Sequence, residues 1–407
     1  MKTHLTQEFA GSTAAKEAQA IIGKCVHCGF CNATCPTYQL LGDELDGPRG
    51  RIYLIKQVLE GGSATRSTQL HLDRCLTCLN CETTCPSGVK YGHLVDIGRA
   101  IVDARVARPP SERATRWFLR EGLTSALFGA ALRLGQALRP LLPSVLKNKI
   151  PRRARAHAAL ESSSRPRKIV MLQGCVQPSM MPNINAAAVR VLAAAGIETV
   201  FAHGTGCCGA LRTHLGDQEA GRNDMRRNVD AWMPLIASGE CFAIVSSASA
   251  CTLAIKEYGH ALAGDANYAK DAALISSLAR DLSELLPELT AALKARQRRG
   301  PRLAFHSPCT LQHGQHLRGG VEKHLRELGF DLEVPGSESH LCCGSAGAYS
   351  ILQPLLATQL RDRKLENIIK CDPQVIVSAN IGCIQHLQSG TPIPVRHWIE
   401  VLDDSLS

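Results

Sequence analysis

Phenylalanine, tyrosine and tryptophan together make up only 4% of this 407-residue chain. No run of about 18 apolar residues occurs, so no membrane-spanning helix is expected. No G-x-G-x-x-G follows an apolar strand, so no dinucleotide site is visible. The first residues, Met1 to Phe9, have neither an apolar core nor a cleavage site. No export signal is therefore expected, and the cytoplasm is the expected compartment. Disulfides, which need an oxidising compartment, are not expected either. Apolar content is ordinary at 45%, so the chain should be globular, with two or three domains.

Cysteine, by contrast, occurs 18 times. Cys25, Cys28, Cys31 and Cys35 precede Pro36, and Cys75, Cys78, Cys81 and Cys85 precede Pro86. Each run reads C-x2-C-x2-C-x3-C-P, the spacing of bacterial ferredoxins. One loop wraps three thiolates around a cubane, and the fourth cysteine reaches the other cluster. Two [4Fe–4S] clusters are expected, one on Cys25, Cys28, Cys31 and Cys85, the other on Cys75, Cys78, Cys81 and Cys35. Structural zinc takes its cysteines in spaced pairs, which fits these runs poorly. The formal charge of +10 counts every thiol as neutral. Eight ligating thiolates subtract eight, and two oxidised cores at +2 each return four, leaving about +6. That balance does not call for nucleic acid.

The two runs lie 50 residues apart. Between them, Asp46-Gly-Pro-Arg-Gly-Arg51 leads into apolar residues at 52, 54, 55, 58 and 59, a helical spacing stopped by Gly61-Gly62. Arg49 and Arg51 could neutralise cluster charge, meet a partner, or sit at a solvated helix start. Residues 116 to 146 read as an amphipathic, mainly basic helical stretch. In it Trp117, Phe118, Leu123, Leu127, Phe128, Leu134, Leu138, Leu141 and Leu142 alternate with Arg116, Arg120, Arg133 and Arg139, and Pro140 and Pro143 should end it. It could face its own core, an anionic membrane surface or a partner subunit. Lys147 to Lys168 is a basic linker with no base-stacking aromatics, so nucleic acid is not an expected partner.

From about residue 168 the chain repeats itself. Ile169 to Leu172 and Leu303 to Phe305 read as short strands leading to Cys175 and Cys309. Helices at 186–195 and 321–328 follow, then strands Ile197 to Phe201 and Phe330 to Val334. Cys207-Cys208-Gly209 and Cys342-Cys343-Gly344 come next. Ala243 to Ser247 and Val375 to Ser378 then run into loops with Cys251 and Cys383. Equivalent cysteines are offset by 134, 135 and 132 residues. Such alternation implies α/β units whose cysteines lie beyond the ends of a parallel sheet.

Each copy thus gathers four cysteines: Cys175, Cys207, Cys208 and Cys251, then Cys309, Cys342, Cys343 and Cys383. Four thiols suit a cubane or a tetrahedral zinc, and buried inert thiols are the plainer reading. The glycine after each adjacent pair suits a tight turn. Cys241 and Cys371 lie outside the pattern and are expected to be inert. His306, His313 and His316 flank Cys309; they could orient a quinone, a flavin partner or a cluster, but surface positions are expected. His27, between cluster ligands, is expected to be exposed.

The duplicated half resembles the cysteine-rich CCG domain of heterodisulfide reductase and its relatives. There each copy ends in C-x2-C, and five cysteines can hold a non-cubane [4Fe–4S] cluster. Here Ala248 and Asn380 replace the earlier cysteine of that pair, so the five-cysteine cluster and its disulfide chemistry are not expected. The insert between the ferredoxin runs resembles the helical ferredoxin domain of respiratory iron–sulfur subunits. The whole chain resembles the iron–sulfur subunits of glycolate oxidase (glycolate dehydrogenase). The segments that carry this are Cys25-Val-His-Cys-Gly-Phe-Cys31, Thr34 to Glu60, His71-Leu-Asp-Arg-Cys-Leu-Thr-Cys78 and Arg396-His-Trp-Ile-Glu400. It is similar, less closely, to anaerobic glycerol-3-phosphate dehydrogenase iron–sulfur subunits and to lactate-utilisation proteins.

The resemblance implies an α+β, multidomain chain. A mainly helical two-cluster ferredoxin domain (1–105) and a linker (106–167) precede CCG copies at 168–300 and 301–407. It implies a flavin (FAD) 2-hydroxyacid dehydrogenase partner that oxidises glycolate to glyoxylate, and a membrane acceptor such as quinone. The chain would then sit peripherally on the inner face of the cytoplasmic membrane and catalyse nothing alone. Oxidation by two electrons needs a flavin or nicotinamide elsewhere, and one-electron cubanes suit a relay that drains it stepwise. The alternatives are a D-lactate or glycerol-3-phosphate dehydrogenase subunit, a CCG-type disulfide reductase, and a non-redox metal scaffold.

Overall fold

A computed structural model describes residues 1–125, 127–139, 167–294 and 300–406. The N-terminal region is helical. Ser12 caps the helix Thr13–Gly23 by accepting from the Ala15 amide at 3.3 Å. The spacing of Ala15, Ala18, Ile21 and Ile22 gives that helix one buried face. Pro48 opens the helix Pro48–Leu59, where its missing N–H costs nothing. Gly61, at φ +94°, lets the chain turn away at the expected stop. Ile52, Ile55 and Leu59 pack with Leu72 and with Leu94, Val95 and Val102 of the helix Tyr91–Arg105. Gly98 permits this crossing, because a Cβ there would lie 2.6 Å from the Ile55 side chain.

The stretch at 116 to 146 departs from a single helix. Two helices, Pro110–Thr124 and Phe128–Leu138, are separated near Ser125. Leu119 is buried against Leu215 and Ala348. Two of the arginines turn inward, Arg116 to Asp73 at 2.9 Å and Arg120 to Asp217 at 3.0 Å. Trp117 and Phe118 are 57% and 67% exposed, and Leu127, Leu134 and Leu138 also face outward. Carboxylates on the neighbouring elements reverse the usual polarity, so the core-facing reading of this stretch fails for most of its apolar residues. Leu141, Leu142, Pro140, Pro143 and the linker residues Lys147 to Arg165 lie outside the described residues. Arg167 and Lys168, assigned to the linker, belong to a strand and pair with Glu288 at 2.7 Å and Glu240 at 3.1 Å.

The remainder forms two four-stranded parallel sheets. The first contains β1 (Arg167–Met171), β2 (Ile197–Val200), β3 (Ile244–Ser246) and β4 (Ala279–Asp281) in the order β2-β1-β3-β4. The second contains β5 (Leu303–His306), β6 (Leu332–Glu333), β7 (Val375–Ser378) and β8 (Val395–His397) in the order β6-β5-β7-β8. The identical order in both halves agrees with a duplication. β6 is shorter than its sequence indicated, and β4 and β8 were not legible in the sequence. The halves share one apolar core, in which Ile184, Ala188 and Val191 join Trp398, Ile399 and Leu402. Arg190 and Asp403 pair across it at 2.9 Å. His397 Nε2 meets the Ser247 carbonyl at 2.9 Å, and the Ser249 amide donates to Ala379 at 3.1 Å, so the carboxyl ends of the two sheets adjoin.

The helical region is clasped to the first sheet unit by a histidine pair. His93 and His260 stack with ring centroids 3.9 Å apart. Glu257 meets His93 at 3.0 Å, and Glu17 meets His260 at 2.9 Å.

Candidate metal centres

The two ferredoxin runs adopt the same loop. His27 and Thr77 have φ of +58° and +50°, and Gly29 and Leu79 have +84° and +61°. Left-handed residues at matching places turn each loop back so that three thiols converge, a strain of the kind that collects at functional sites. Pro36 starts the helix Pro36–Leu41 directly after Cys35, which carries that thiol away from its own loop.

Two recesses result. One is lined by Cys25, Cys28, Cys31 and Cys85, with Cys81 in its wall. The other is lined by Cys35, Cys75, Cys78 and Cys81. The structure therefore brings together the two sets read from the spacing, each borrowing its fourth cysteine from the other run. Tyr91 borders both recesses. Burial, then the charges of Cys25, Cys85 and Cys28, push the Cys31 thiol up to about 11. Burial is also the main cause that raises Cys78 and Cys81. Such thiols ionise together only around a cation, and all-sulfur donor sets select iron–sulfur clusters or zinc.

The recesses have different surroundings. At the second, Arg51 is 1% exposed and donates to the His71 carbonyl at 2.7 Å and to Thr37 Oγ1 at 3.1 Å. It also faces Asp46 at 3.5 Å. The solvated helix start thus fails for Arg51, which is buried beside the thiols. Asp46, fully buried, is held further by Arg74 at 2.8 Å and His71 at 3.0 Å. Thr37 Oγ1 lies 3.3 Å from Cys35 Sγ, and Tyr91 donates to Cys75 Sγ at 3.8 Å. At the first recess, Arg49 is partly exposed and pairs with Glu44 at 2.6 Å. His27 is half-buried rather than exposed, and burial beside Arg49 lowers its pKa. Cys28 is exposed there, flanked by Val26 at 70% and Phe30 at 60% exposure.

In the duplicated half, the cysteines lie beyond the strand ends, as parallel topology requires. Cys251 and Cys383, however, sit in the first turns of the helices Ser249–Lys256 and Ile381–Gln388 rather than in the expected loops, because each helix starts within three residues of its strand. Cys175 follows β1 and Cys251 follows β3; Cys309 follows β5 and Cys383 follows β7. In the first copy the thiols of Cys175, Cys207, Cys208 and Cys251 are near enough to perturb one another: Cys207 raises the pKa of Cys175, and Cys207 and Cys251 raise that of Cys208. In the second, Cys309 donates to Cys342 at 3.8 Å, and the thiols of Cys343 and Cys383 lie within 4.8 Å of each other. Gly209 and Gly344, at φ +88° and +89°, donate to Cys207 and Cys342 Sγ at 3.4 Å each. A Cβ on Gly344 would lie 2.5 Å from the Ala357 carbonyl oxygen, so only glycine fits. Ala248 and Asn380 precede the helices carrying Cys251 and Cys383, and Asn380 Nδ2 donates to Cys383 Sγ at 3.7 Å. Cys241 and Cys371 are buried elsewhere.

The histidines near Cys309 divide. His316 is exposed, as expected. His313 is 1% exposed and bonds Thr83 Oγ1 at 2.9 Å and the His340 carbonyl at 2.8 Å. His306 is 2% exposed at the end of β5. The surface reading fails for these two because a strand end and the helical region cover them. The second recess also abuts the second copy, since Leu76 and Cys78 pack against Cys309, Cys342, Tyr349 and Leu356. No sequence signal marks that juxtaposition, which rests on Tyr349 donating to the Arg74 carbonyl at 3.2 Å and on the Thr83–His313 bond.

Residues 21–89 match the 4Fe-4S dicluster domain family, and residues 169–256 and 303–388 match the cysteine-rich domain family. The glycolate oxidase iron-sulfur subunit of Escherichia coli (strain K12) is 52% identical over all of this chain and 99% of its own length. A probable glycolate oxidase iron-sulfur subunit of Bacillus subtilis (strain 168) is 29% identical over 90% of this chain and 88% of its own. Lactate utilization protein A of Geobacillus thermodenitrificans (strain NG80-2) is 27% identical, covering 58% of this chain and 98% of its own length. With ferredoxin and duplicated cysteine-rich regions in one order and full-length identity above half, the chain belongs to the family of glycolate oxidase iron–sulfur subunits.

Proposed function

We propose that the chain is the electron-transfer subunit of a glycolate oxidase complex. It carries two [4Fe–4S] clusters, on Cys25, Cys28, Cys31 and Cys85 and on Cys35, Cys75, Cys78 and Cys81. The observation that supports this best is the division of eight converging thiols between two recesses with a shared wall. Bound cubanes would accept and release single electrons. The chain's residues hold the clusters, shield the second from water, and balance charge through Arg51. The cysteines of both cysteine-rich copies (Cys175, Cys207, Cys208 and Cys251; Cys309, Cys342, Cys343 and Cys383) are proposed as further metal donors. The four segments 1–105, 106–167, 168–300 and 301–407 are the proposed domains; β1 begins one residue before the third. The identity of 52% against 27% favours glycolate over lactate chemistry.

The partner is an FAD-containing subunit that oxidises glycolate to glyoxylate and docks where Cys28 is exposed between Val26 and Phe30. An apolar rim around an exposed ligand brings a flavin close while excluding water. Mixing the chain with its flavoprotein partner should give glycolate-dependent dye reduction that neither shows alone. Phe30→Glu should raise the dissociation constant at least tenfold with iron content unchanged, since a central aromatic anchor is worth about 2 kcal/mol or more. Glycolate oxidation by the isolated chain would overturn the subunit reading.

The acceptor is a membrane quinone, and the chain lies peripherally on the inner face of the cytoplasmic membrane. Among the described residues no helix is long and apolar enough to cross a membrane. The outward face of Trp117, Phe118, Leu127, Leu134 and Leu138 precedes a run rich in lysine and arginine in sequence. Apolar and basic signals together suit an anionic bilayer surface. The double variant Trp117→Ser/Phe118→Ser should lose most of its flotation with anionic lipid vesicles. Equal flotation of variant and wild type would place the contact elsewhere.

A further inference from the structure

The two cysteine-rich copies differ three residues before their first cysteine. His306 ends β5, whereas the equivalent residue after β1, three before Cys175, is Leu172. His306 Nε2 is buried and has no hydrogen-bond partner. An orphaned imidazole nitrogen costs free energy unless something satisfies it. It faces two thiols: one ring nitrogen of His306, Cys343 Sγ and Cys383 Sγ all lie within 4.8 Å of one another.

A second observation comes from the opposite side. Lys364 is 3% exposed, and its ammonium donates to the carbonyls of Glu338 at 2.6 Å and Ser339 at 3.3 Å. Among the described residues it has no ion pair with a carboxylate; Glu338, the nearby acid, is held by Arg363 at 2.8 Å. Burial lowers its pKa to about 8, against the opposing influence of the neighbouring thiols of Cys343 and Cys342. A buried ammonium facing thiols is what an anionic metal–thiolate centre requires as counter-charge.

We propose that the second cysteine-rich copy holds a zinc ion on His306, Cys343 and Cys383, with the adjacent thiol of Cys342 for the fourth position. This rests on the reading that the cysteine-rich copies hold metal. Zinc–sulfur bonds of about 2.3 Å and zinc–nitrogen bonds of about 2.0 Å put tetrahedral donors roughly 3.5–3.8 Å apart. The ring nitrogen of His306 and the thiols of Cys343 and Cys383, within 4.8 Å of one another, need shifts of no more than about 1.3 Å to reach those spacings, whereas a cubane spreads its thiolates over separate iron corners. Three thiolates and a neutral imidazole around Zn²⁺ carry one net negative charge, which Lys364 balances. The first copy, with Leu172, lacks the imidazole, so the duplicated sites have diverged in what they bind.

The test is zinc and iron content of the full chain, purified anaerobically, with X-ray absorption at the zinc edge. Wild type should hold one zinc with a nitrogen and sulfur ligand set. His306→Ala should lose that zinc at unchanged iron content. His306→Cys, which returns a thiolate to the same place, should keep it with sulfur ligands only. Zinc absent from the wild type, retained in full by His306→Ala, or bound by sulfur alone in the wild type would overturn the proposal. The spectrum of the reduced ferredoxin clusters in the same samples reports separately on the electron-transfer reading.

Discussion

Cys81→Ser is expected to remove about four iron atoms, the content of one cubane, and to slow glycolate-dependent electron transfer at least 100-fold. Cys81 is 8% exposed and lines both recesses, so it stands between the two centres. Serine is a harder donor than thiolate and suits iron–sulfur clusters poorly. No open solvent adjoins this position to supply a replacement ligand. Cys28→Ser is the informative contrast. Its thiol is exposed, so water can reach the vacated corner, and the cluster should persist in part. Iron assay, spectra of the reduced protein and turnover in the reconstituted complex measure all three effects. A Cys81→Ser protein with full iron and undiminished turnover would remove Cys81 from the ligand set.

Arg51→Met should destabilise the helical region by about 3–5 kcal/mol, the cost of breaking a buried ion pair from one side. The arginine's hydrogen bonds to the His71 carbonyl and Thr37 Oγ1 have no water to replace them. Asp46 would keep Arg74 and His71 but lose its most deeply buried partner. The substitution also takes a positive charge away from the second recess, so the reduced, more negative state of a cluster there is disfavoured. Its midpoint potential should fall relative to the first cluster. Arg49→Met should cost no more than about 1 kcal/mol, as for an exposed pair, because both Arg49 and Glu44 are partly solvated. Denaturant unfolding and a redox titration separate the two effects. Equal destabilisation by both substitutions would show that burial of Arg51 carries no special weight.

The spacing of the ferredoxin cysteines was sufficient to predict which thiols share a recess. Three thiols of each set come from one short loop, whose distances a sequence records directly, and the exchanged fourth follows from the ferredoxin pattern. The duplication was legible for a similar reason, since both copies keep the same cysteine offsets and apolar strands such as Val375–Ser378. β4 and β8 escaped because three residues are too few to display a two-residue alternation. The facing of the amphipathic stretch at 116–146 stayed open in the sequence. Its pattern reveals two faces but does not say which one meets Asp73 and Asp217.

Sequence alone therefore determined the thiol sets, the repeat and the family, because these depend on residue type and on separation along the chain. Tertiary structure alone decided that Arg51 is buried, that His306 faces Cys343 and Cys383, and that Cys78 packs against Cys309 and Cys342. Each of these brings together segments 20 to 264 residues apart. Burial of a charge or an imidazole depends on what the rest of the fold lays over it, and no local pattern encodes that.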